Sequence, residues 1–210
     1  MKNIQQTIQE LNCKEDFDSN YERTHSFFKT ELIESSKYLN GYPVVVNDSF
    51  IAGIEEIFVH LITLGDEDAK FDMYPCQNHQ TSTWCKTKCN QYSGGANRYG
   101  FPNGSDFIAN RVECVYRAYH LPYLPYIIDC VNNGDEVDKI SMWEIPNKKN
   151  KKYSRLHIRY QDETIDYIVF LDINYNHEKP FYSLISGYPV VLKSYKRRFD
   201  REYRRYKKDM

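Results

Sequence analysis

Apolar residues recur at helical spacing through the first forty positions of the chain. Ile4, Ile8 and Leu11 share one face of a helix, and the same spacing continues further along. A Gly-Tyr-Pro sequence at 41–43 then interrupts the pattern, because Gly and Pro punctuate regular structure. We therefore predict that residues 3–40 are mainly helical.

The middle of the chain mixes short apolar runs with a long polar segment. Residues 44–46 predict a short strand, and residues 51–64 predict a buried helix or a strand followed by a helix. Residues 74–105 lack apolar periodicity, and a loop of this length is uncommon unless something organises it. Helical spacing returns over residues 107–131, with breaks expected at both of its prolines.

The last third of the chain alternates between apolar and polar positions in the manner of β-strands. Four strands are predicted at about 139–145, 154–160, 165–173 and 181–192. Short polar connections between successive strands favour an antiparallel meander. A basic helix over 194–208 is expected to pack one aromatic face: Tyr195, Phe199, Tyr203 and Tyr206. The predicted fold is α+β, with N-terminal helices, a four-stranded antiparallel sheet, a basic C-terminal helix and a Cys/His loop insertion.

Charge divides the chain more sharply than the net value of −1 suggests. Residues 1–72 hold 14 acidic and 6 basic side chains, whereas residues 73–210 hold 15 acidic and 22 basic side chains. Such asymmetry is a cue for nucleic-acid contact. We expect an acidic helical part at 1–72, a Cys/His-rich loop at 73–105, and a helix-plus-sheet part at 106–210 that forms one unit with 43–72.

The polar loop carries four metal-binding residue types within a short stretch: Cys76, His79, Cys85 and Cys89. Zinc favours tetrahedral sulfur and nitrogen ligands at short spacing, and binding it can order a loop without a core. The sequence therefore predicts a possible structural zinc site, with free thiols and a surface histidine as the alternative. We expect no cofactor for catalysis.

Nothing in the sequence predicts export or membrane insertion. No apolar run approaches the length that crosses a bilayer, and the first residues lack the apolar region of a secretory signal. Six cysteines without export signals indicate thiols or metal ligands instead of disulfides. We therefore expect a cytoplasmic protein without a membrane partner.

Short motifs in the second half of the chain resemble a known nuclease group. They are Phe58–Ile62, Asn110–Arg117, Leu121–Ile128, Asp166–Leu171 and Leu184–Pro189, followed by the basic terminal helix. Their order resembles the phage- and mobile-element-associated branch of the barnase–EndoU–colicin–RelE nuclease superfamily. The resemblance covers about residues 50–65 and 106–208. It implies a helical part followed by a four-stranded antiparallel sheet.

The resemblance also implies a site. A histidine of the helical part, a basic residue and a hydroxyl of the last strand correspond here to these positions: His60, Arg111 or Arg117, and Ser186 with Tyr188. Metal-free RNA cleavage needs such groups, because a proton leaves the 2′-OH, another reaches the 5′-oxygen, and charge develops on phosphate. Strand alternation predicts that Leu184 shares the face of Ser186 and Tyr188.

Each of these residues also has a structural interpretation. His60 lies in an apolar run, which slightly favours a hydrogen-bonded core histidine over a catalytic one. Arg111 and Arg117 can pair with nearby acids, and Ser186 and Tyr188 can be ordinary strand residues. The sequence alone does not decide between these alternatives.

A second group of residues is predicted to contact RNA. Alternation puts Arg155, His157 and Arg159 on one strand face, where they can line the same cleft. The terminal helix adds nine Lys/Arg side chains between 193 and 208, including Lys196, Arg197, Arg201, Arg204 and Arg205. Such density attracts phosphate. Its tyrosines either stack on unpaired bases or face the core, and its charge either binds RNA or balances the acidic half.

The favoured hypothesis is a metal-independent endoribonuclease, a hydrolase-type toxin or phage- or defence-related effector that acts on RNA (tRNA or mRNA) by 2′-OH attack. An inhibitor or antitoxin, or a host protein, is a possible partner. The alternatives are a non-catalytic module that binds nucleic acid or an acidic protein with help from the zinc loop, and an effector whose acidic helices bind a host protein.

Overall fold

A computed structural model describes residues 3–13, 17–47, 49–51, 53–65, 111–146, 153–174 and 179–210. The helices are α1 (Ile4–Leu11), α2 (Phe17–Phe28), α3 (Glu56–Ile62), α4 (Val115–His120), α5 (Tyr123–Asn133) and α6 (Lys193–Asp209). A π-helical turn, Lys29–Glu34, extends α2. Helical structure therefore ends at residue 34. The predicted helical region, 3–40, wrongly includes residues that form the first strand of a hairpin.

Ten strands connect these helices within the described residues. The short ones are β1 (Tyr38–Leu39), β2 (Tyr42–Val45), β3 (Phe50–Ile51), β4 (Ile54–Glu55), β5 (Thr63–Gly65) and β6 (Arg111–Glu113). The long ones are β7 (Ile140–Pro146), β8 (Tyr153–Gln161), β9 (Asp166–Asn174) and β10 (Phe181–Pro189).

The main sheet differs from the predicted four-stranded antiparallel sheet. Its six strands lie in the order β1-β2-β10-β9-β8-β7. The four long strands form the expected antiparallel meander, but β2 pairs in parallel with β10 through Tyr182↔Val44 and Ser183↔Val45. The predicted sheet is therefore wrong in strand number and in kind: the fold is α+β with a mixed sheet.

The hairpin β1–β2 accounts for the two additional strands. Its turn residues, Asn40 and Gly41, have φ angles of +50° and +82°. A two-residue turn with positive φ at both positions matches the twist of the flanking strands, and Asn-Gly is the favoured pair. The hairpin ends the N-terminal helical region and delivers β2 to the free edge of β10.

The two faces of the main sheet have different cores. The inner face packs against the helices before it, and its cluster includes Leu156, Ile158, Val169 and Leu171 with Leu124 of α5. The outer face is covered by α6. Its cluster contains Trp143, Ile168, Phe170, Val190 and Phe199, with Tyr195, Tyr203 and Tyr206 packed against it. The aromatic face predicted for the terminal helix therefore packs against the sheet, which is the core-facing alternative for its tyrosines.

The pairing of β5 with β6 sets α3 beside α4. Thr63 pairs with Glu113, and the Cys114 amide donates to the Ile62 carbonyl at 2.8 Å. Because β5 follows α3 directly and β6 precedes α4, this pairing brings together two helices that are distant in sequence. It determines which side chains can reach β10.

The predicted helix break occurs at the first of the two prolines. α4 ends at His120, and Pro122 precedes α5, whereas Pro125 lies in the first turn of α5. The missing amide of a proline costs little in a first turn, because that amide has no helical acceptor. Among the described helices, none combines the length and the apolar character that crossing a membrane requires.

Candidate functional site at the edge of the last long strand

His60 and Ser186 contact each other directly. The Nε2 atom of His60 lies 3.1 Å from the Oγ atom of Ser186, although the two residues are 126 positions apart. His60 is half-buried in the last turn of α3, and Ser186 is buried on β10. The contact joins a group that can transfer protons at neutral pH to a hydroxyl that can donate or accept a hydrogen bond.

A β-bulge sets the direction of Ser186. The register moves from Leu184↔Leu171 to Ser186↔Phe170, so Ile185 is the additional residue. Leu184 consequently packs in the inner cluster, whereas Ser186 lies opposite Phe170 of the outer cluster. The expectation that Leu184 shares the face of Ser186 is wrong, because a bulge reverses the alternation.

Gly187 allows the strand to lie close to α5 immediately after the bulge. A Cβ atom at this position would lie 2.8 Å from Cδ1 of Leu124 and 3.4 Å from the Tyr167 hydroxyl. Real Cβ atoms do not approach carbon so closely, so a side chain here would displace its neighbours. Gly187 thus sets how closely β10 approaches α5 at Ser186 and Tyr188.

Arg117 joins the same site from α4. Its guanidinium carbon lies 4.5 Å from the centroid of the Tyr188 ring, and its Nη1 atom donates to the Thr63 carbonyl at 2.6 Å. The second contact holds the guanidinium at the C-terminal end of α3, where cations are favoured. Among the described residues, its partners are thus a ring and a carbonyl, and no carboxylate pairs with it.

Arg198 of α6 forms an ion pair with Glu202 at 2.8 Å on its own helix. A hydrogen bond to Glu202 raises the pKa of Arg198, and the nearby Tyr188 contributes in the same direction. The guanidinium that contacts the Tyr188 ring is that of Arg117. Positive charge at this end of β10 favours an anion beside Ser186.

A groove of about 650 Å³ opens next to His60. Its lining includes Glu56, His60, Val45, Ser183 and Ile185. Glu56 and His60 are four residues apart on α3, so both side chains lie on one helix face. The sequence interpretation missed Glu56 as a functional candidate. The available signal was its position one helical turn before His60. We call this groove, together with His60, Ser186, Arg117 and Tyr188, the strand-edge site.

Two predicted groups do not contribute to this site as described. The backbone of Arg111 begins β6 opposite Gly65, but its side chain is outside the described residues. The possible zinc ligands Cys76, His79, Cys85 and Cys89 also lie outside them. Within the described part of the chain, no group of three His, Cys, Asp or Glu side chains is arranged to hold a metal ion. The described residues therefore contain no site for the expected structural zinc.

His157 lies beneath α6, next to Trp143, which packs against Phe199 and Tyr203. Its ring stacks on Trp143 at 5.0 Å and 16°, and meets the edge-on ring of Phe170 at 4.9 Å. Only 3% of the residue is exposed, and burial lowers the pKa of His157 to about 4. A histidine in this environment is neutral at pH 7 and is inaccessible to a phosphate.

Arg159 is held in the same buried region. Its guanidinium binds both carboxylate oxygens of Asp166, at 2.8 and 2.7 Å, and Asp200 of α6 at 2.7 Å. These contacts satisfy a charge that is 3% exposed. We call Trp143, His157, Arg159, Asp166 and Asp200 the sealed cluster. Its two predicted RNA contacts, His157 and Arg159, are engaged in packing and ion pairing.

Arg155 is the accessible member of the predicted trio. It makes a two-pronged ion pair with Asp172, at 2.7 and 3.1 Å, and its side chain is 41% exposed. The register places Asp172 between Arg155 and Ser183 on the outer face. Arg155 is therefore separated from the groove residue Ser183 by Asp172 alone, across three neighbouring strands.

The predicted RNA-binding residues of α6 lie mostly in solvent. Four of them are exposed: Arg197, Arg201, Arg204 and Arg205. In the described ranges, none of these four takes part in an ion pair, whereas Lys196 is 3.6 Å from Asp166. Unpaired exposed arginines on one helix form a surface that attracts phosphate.

Comparison with protein-family models, with curated proteins and with solved structures finds no match for this chain. The resemblance to the nuclease superfamily consequently remains an interpretation of short motifs.

Proposed function

We propose that the protein is a metal-independent endoribonuclease that acts as a toxin or as a phage- or defence-related effector. The observation that carries the proposal is the 3.1 Å contact between His60 and Ser186 beside an open groove. It places a proton-transferring group beside a hydroxyl that can bind phosphate, and cleavage by 2′-OH attack can use both. The expected cytoplasmic location remains part of this proposal.

The proposed reaction uses two proton-transferring groups on α3. Glu56 accepts the proton of the 2′-OH while the 2′-oxygen bonds to phosphorus, and His60 protonates the departing 5′-oxygen as the P–O5′ bond breaks. The products are a 2′,3′-cyclic phosphate and a 5′-hydroxyl. Removing either group is expected to lower the rate by about 10²–10⁴-fold.

The other residues of the site stabilise the phosphate. Ser186 donates a hydrogen bond to a non-bridging oxygen, and Arg117 supplies positive charge while Tyr188 and the Thr63 carbonyl hold its guanidinium in place. A fixed cation is most effective where charge develops in the transition state. Arg117→Lys should therefore lower the cleavage rate, because Lys lacks the planar donor fork.

The test is incubation of total RNA with the protein in EDTA, with the ends of the fragments identified chemically. We expect 2′,3′-cyclic phosphate ends, together with strong loss of cleavage in His60→Ala and in Ser186→Ala. Because the two residues act as one unit, the double variant should be no slower than about the slower single variant. Intact RNA at high protein concentration would refute catalysis.

A second candidate is a nucleic-acid-binding module that does not cleave. The exposed Arg197, Arg201, Arg204 and Arg205, which form no ion pair with other described residues, favour it because they attract phosphate independently of the strand-edge site. Its signature is a salt-sensitive gel shift with no new RNA ends. Binding without cleavage by the wild-type protein would support this candidate over the nuclease.

A further inference from the structure

Exposed apolar residues concentrate in one part of the described chain. Four of the seven large exposed hydrophobic side chains fall between residues 38 and 50: Tyr38, Tyr42, Val45 and Phe50. Single exposed apolar residues are ordinary, but a local concentration indicates a binding surface. This region contributes Val45 directly to the groove of the strand-edge site.

The register shows which of these side chains share a face with the groove. Tyr38 pairs with Pro43, and Val45 pairs with Ser183, which also lines the groove. Pro43 and Val45 are two apart on β2, so Tyr38, Pro43 and Val45 lie on the same outer face. Tyr38 is diagonal to Val45, at the distance of about 7–8 Å that aromatic side chains reach. We call these three residues the hairpin platform.

Tyr42 lies on the opposite face of the same hairpin. It pairs with Leu39, which is fully buried in the inner cluster, and its ring lies 6.3 Å from that of Tyr182. Tyr38 and Tyr42 are similarly exposed, at 52% and 44%. They therefore provide two tyrosines of comparable exposure, of which one faces the groove side.

The groove thus has an apolar side and a charged side. The hairpin platform borders it at β2, and the guanidinium of Arg117 lies on the ring of Tyr188, two residues past Ser186 on β10. A nucleotide has the same division, with an aromatic base on one side of the ribose and an anionic phosphate on the other. Unpaired bases stack on aromatic side chains, whereas bases in a duplex are already stacked.

We infer that the hairpin platform is a stacking site for an unpaired nucleobase, with Tyr38 as the main contact. A phosphate at Ser186 and Arg117 places the attached base toward Val45 and Tyr38. The substrate class is consequently single-stranded RNA. This inference rests on the proposed function for its ligand, but the contact can be measured without cleavage.

The experiment measures binding in a His60→Gln background, so that the RNA stays intact. Fluorescence anisotropy gives the dissociation constants for a labelled single-stranded RNA and for the same strand in a duplex. We expect Tyr38→Ala to weaken single-strand binding by about 10-fold, within the range for loss of one base–aromatic stack. Tyr42→Ala should stay within about 2-fold, and Tyr38→Phe should retain binding. Duplex affinity should be the same in all variants.

Equal affinity of Tyr38→Ala and Tyr42→Ala for single strands would overturn the inference. An equal loss for single strands and duplex would do so too. A Tyr38→Ala variant that changes oligomeric state would assign the platform to a protein contact instead. If wild-type protein cleaves RNA but Tyr38→Ala has no selective effect, only the inference fails. If nothing is cleaved and Tyr38→Ala still selectively weakens binding, only the catalytic proposal fails.

Discussion

The strand-edge site and the sealed cluster contain the same residue types in different surroundings. Each has a histidine and an arginine: His60 and Arg117 come from α3 and α4 to the edge of β10, whereas His157 and Arg159 lie on β8. His60 is half-buried beside a groove, whereas His157 is 3% exposed between Trp143 and Phe170. Arg117 rests on a ring and a carbonyl, whereas Arg159 is bound by two carboxylates. Accessibility and partners, and not residue type, therefore separate a candidate site from a structural ion pair.

Removing Arg159 is expected to have the largest effect on stability. Arg159→Met removes the bidentate partner of the buried Asp166 carboxylate and leaves Lys196, at 3.6 Å, as its ion pair among the described residues. Breaking a buried pair on one side costs about 3–5 kcal/mol. Urea unfolding followed by circular dichroism measures the loss. Arg155→Met serves as the control, because its ion pair is partly exposed and should cost under about 1 kcal/mol. Equal losses of stability in the two variants would show that the ion pair of Arg159 is as exposed to solvent as that of Arg155.

The free energy of unfolding should depend on pH because His157 is buried in its neutral form. Burial lowers its pKa to about 4 in the folded state, whereas the unfolded value is 6.5, so the unfolded chain binds the proton first as pH falls. The stability contribution is complete above pH 6.5 and declines toward pH 4. The total loss is about 3 kcal/mol.

Replacing His157 with phenylalanine keeps the stack on Trp143 and removes the titrating group. The unfolding free energy of His157→Phe, measured by urea titration at pH 7 and at pH 5, should vary less than that of the wild-type protein. Identical pH dependence in the two proteins would mean that His157 titrates normally and is open to solvent.

Gly187→Ala tests the packing that holds the strand-edge site. The new methyl group would lie 2.8 Å from Cδ1 of Leu124, and overpacking of this kind costs about 1–3 kcal/mol. Because Ser186 and Tyr188 flank the glycine, RNA cleavage per folded molecule should also fall. The double variant with Leu124→Ala should lose less stability than the sum of the single variants. Additive losses, measured by urea unfolding, would contradict this contact.

Substitution of a single exposed arginine on α6 should have the smallest effect. Arg201→Gln removes a charge that forms no ion pair among the described residues, so stability should change by less than about 0.5 kcal/mol. If Arg201 contacts phosphate, the slope of log affinity against log salt should decrease in magnitude by about 1. Gel shifts at a series of salt concentrations measure this slope. An unchanged slope would show that Arg201 does not contact phosphate.

The long strands and the terminal helix were predictable because their patterns are local. The alternation over 154–160 and the aromatic spacing from Tyr195 to Tyr206 match β8 and α6 within a residue or two. The hairpin was missed because helical spacing seemed to continue through Leu39. Its Asn40-Gly41 turn was the available signal, since this dipeptide favours tight hairpins.

The site was predictable only in part. His60, Arg117, Ser186 and Tyr188 were named through a family resemblance, and the fold brings them to one strand edge. The parallel pairing of β2 with β10 joins segments far apart in sequence, and no local pattern encodes it. The bulge at Ile185 was equally unpredictable, because alternation alone assigns Leu184 and Ser186 to one face.

The most direct test makes the same substitution in both regions. Glutamine retains hydrogen bonding but cannot transfer a proton near neutral pH, so His60→Gln and His157→Gln can be compared for RNA cleavage and for unfolding free energy. We expect His60→Gln to lose about 10²–10⁴-fold in cleavage with little change in stability. His157→Gln should cleave within about 3-fold of wild type while losing about 1–3 kcal/mol of stability. Normal cleavage by His60→Gln, or loss of cleavage in a folded His157→Gln, would contradict the assignment of function to the strand-edge site.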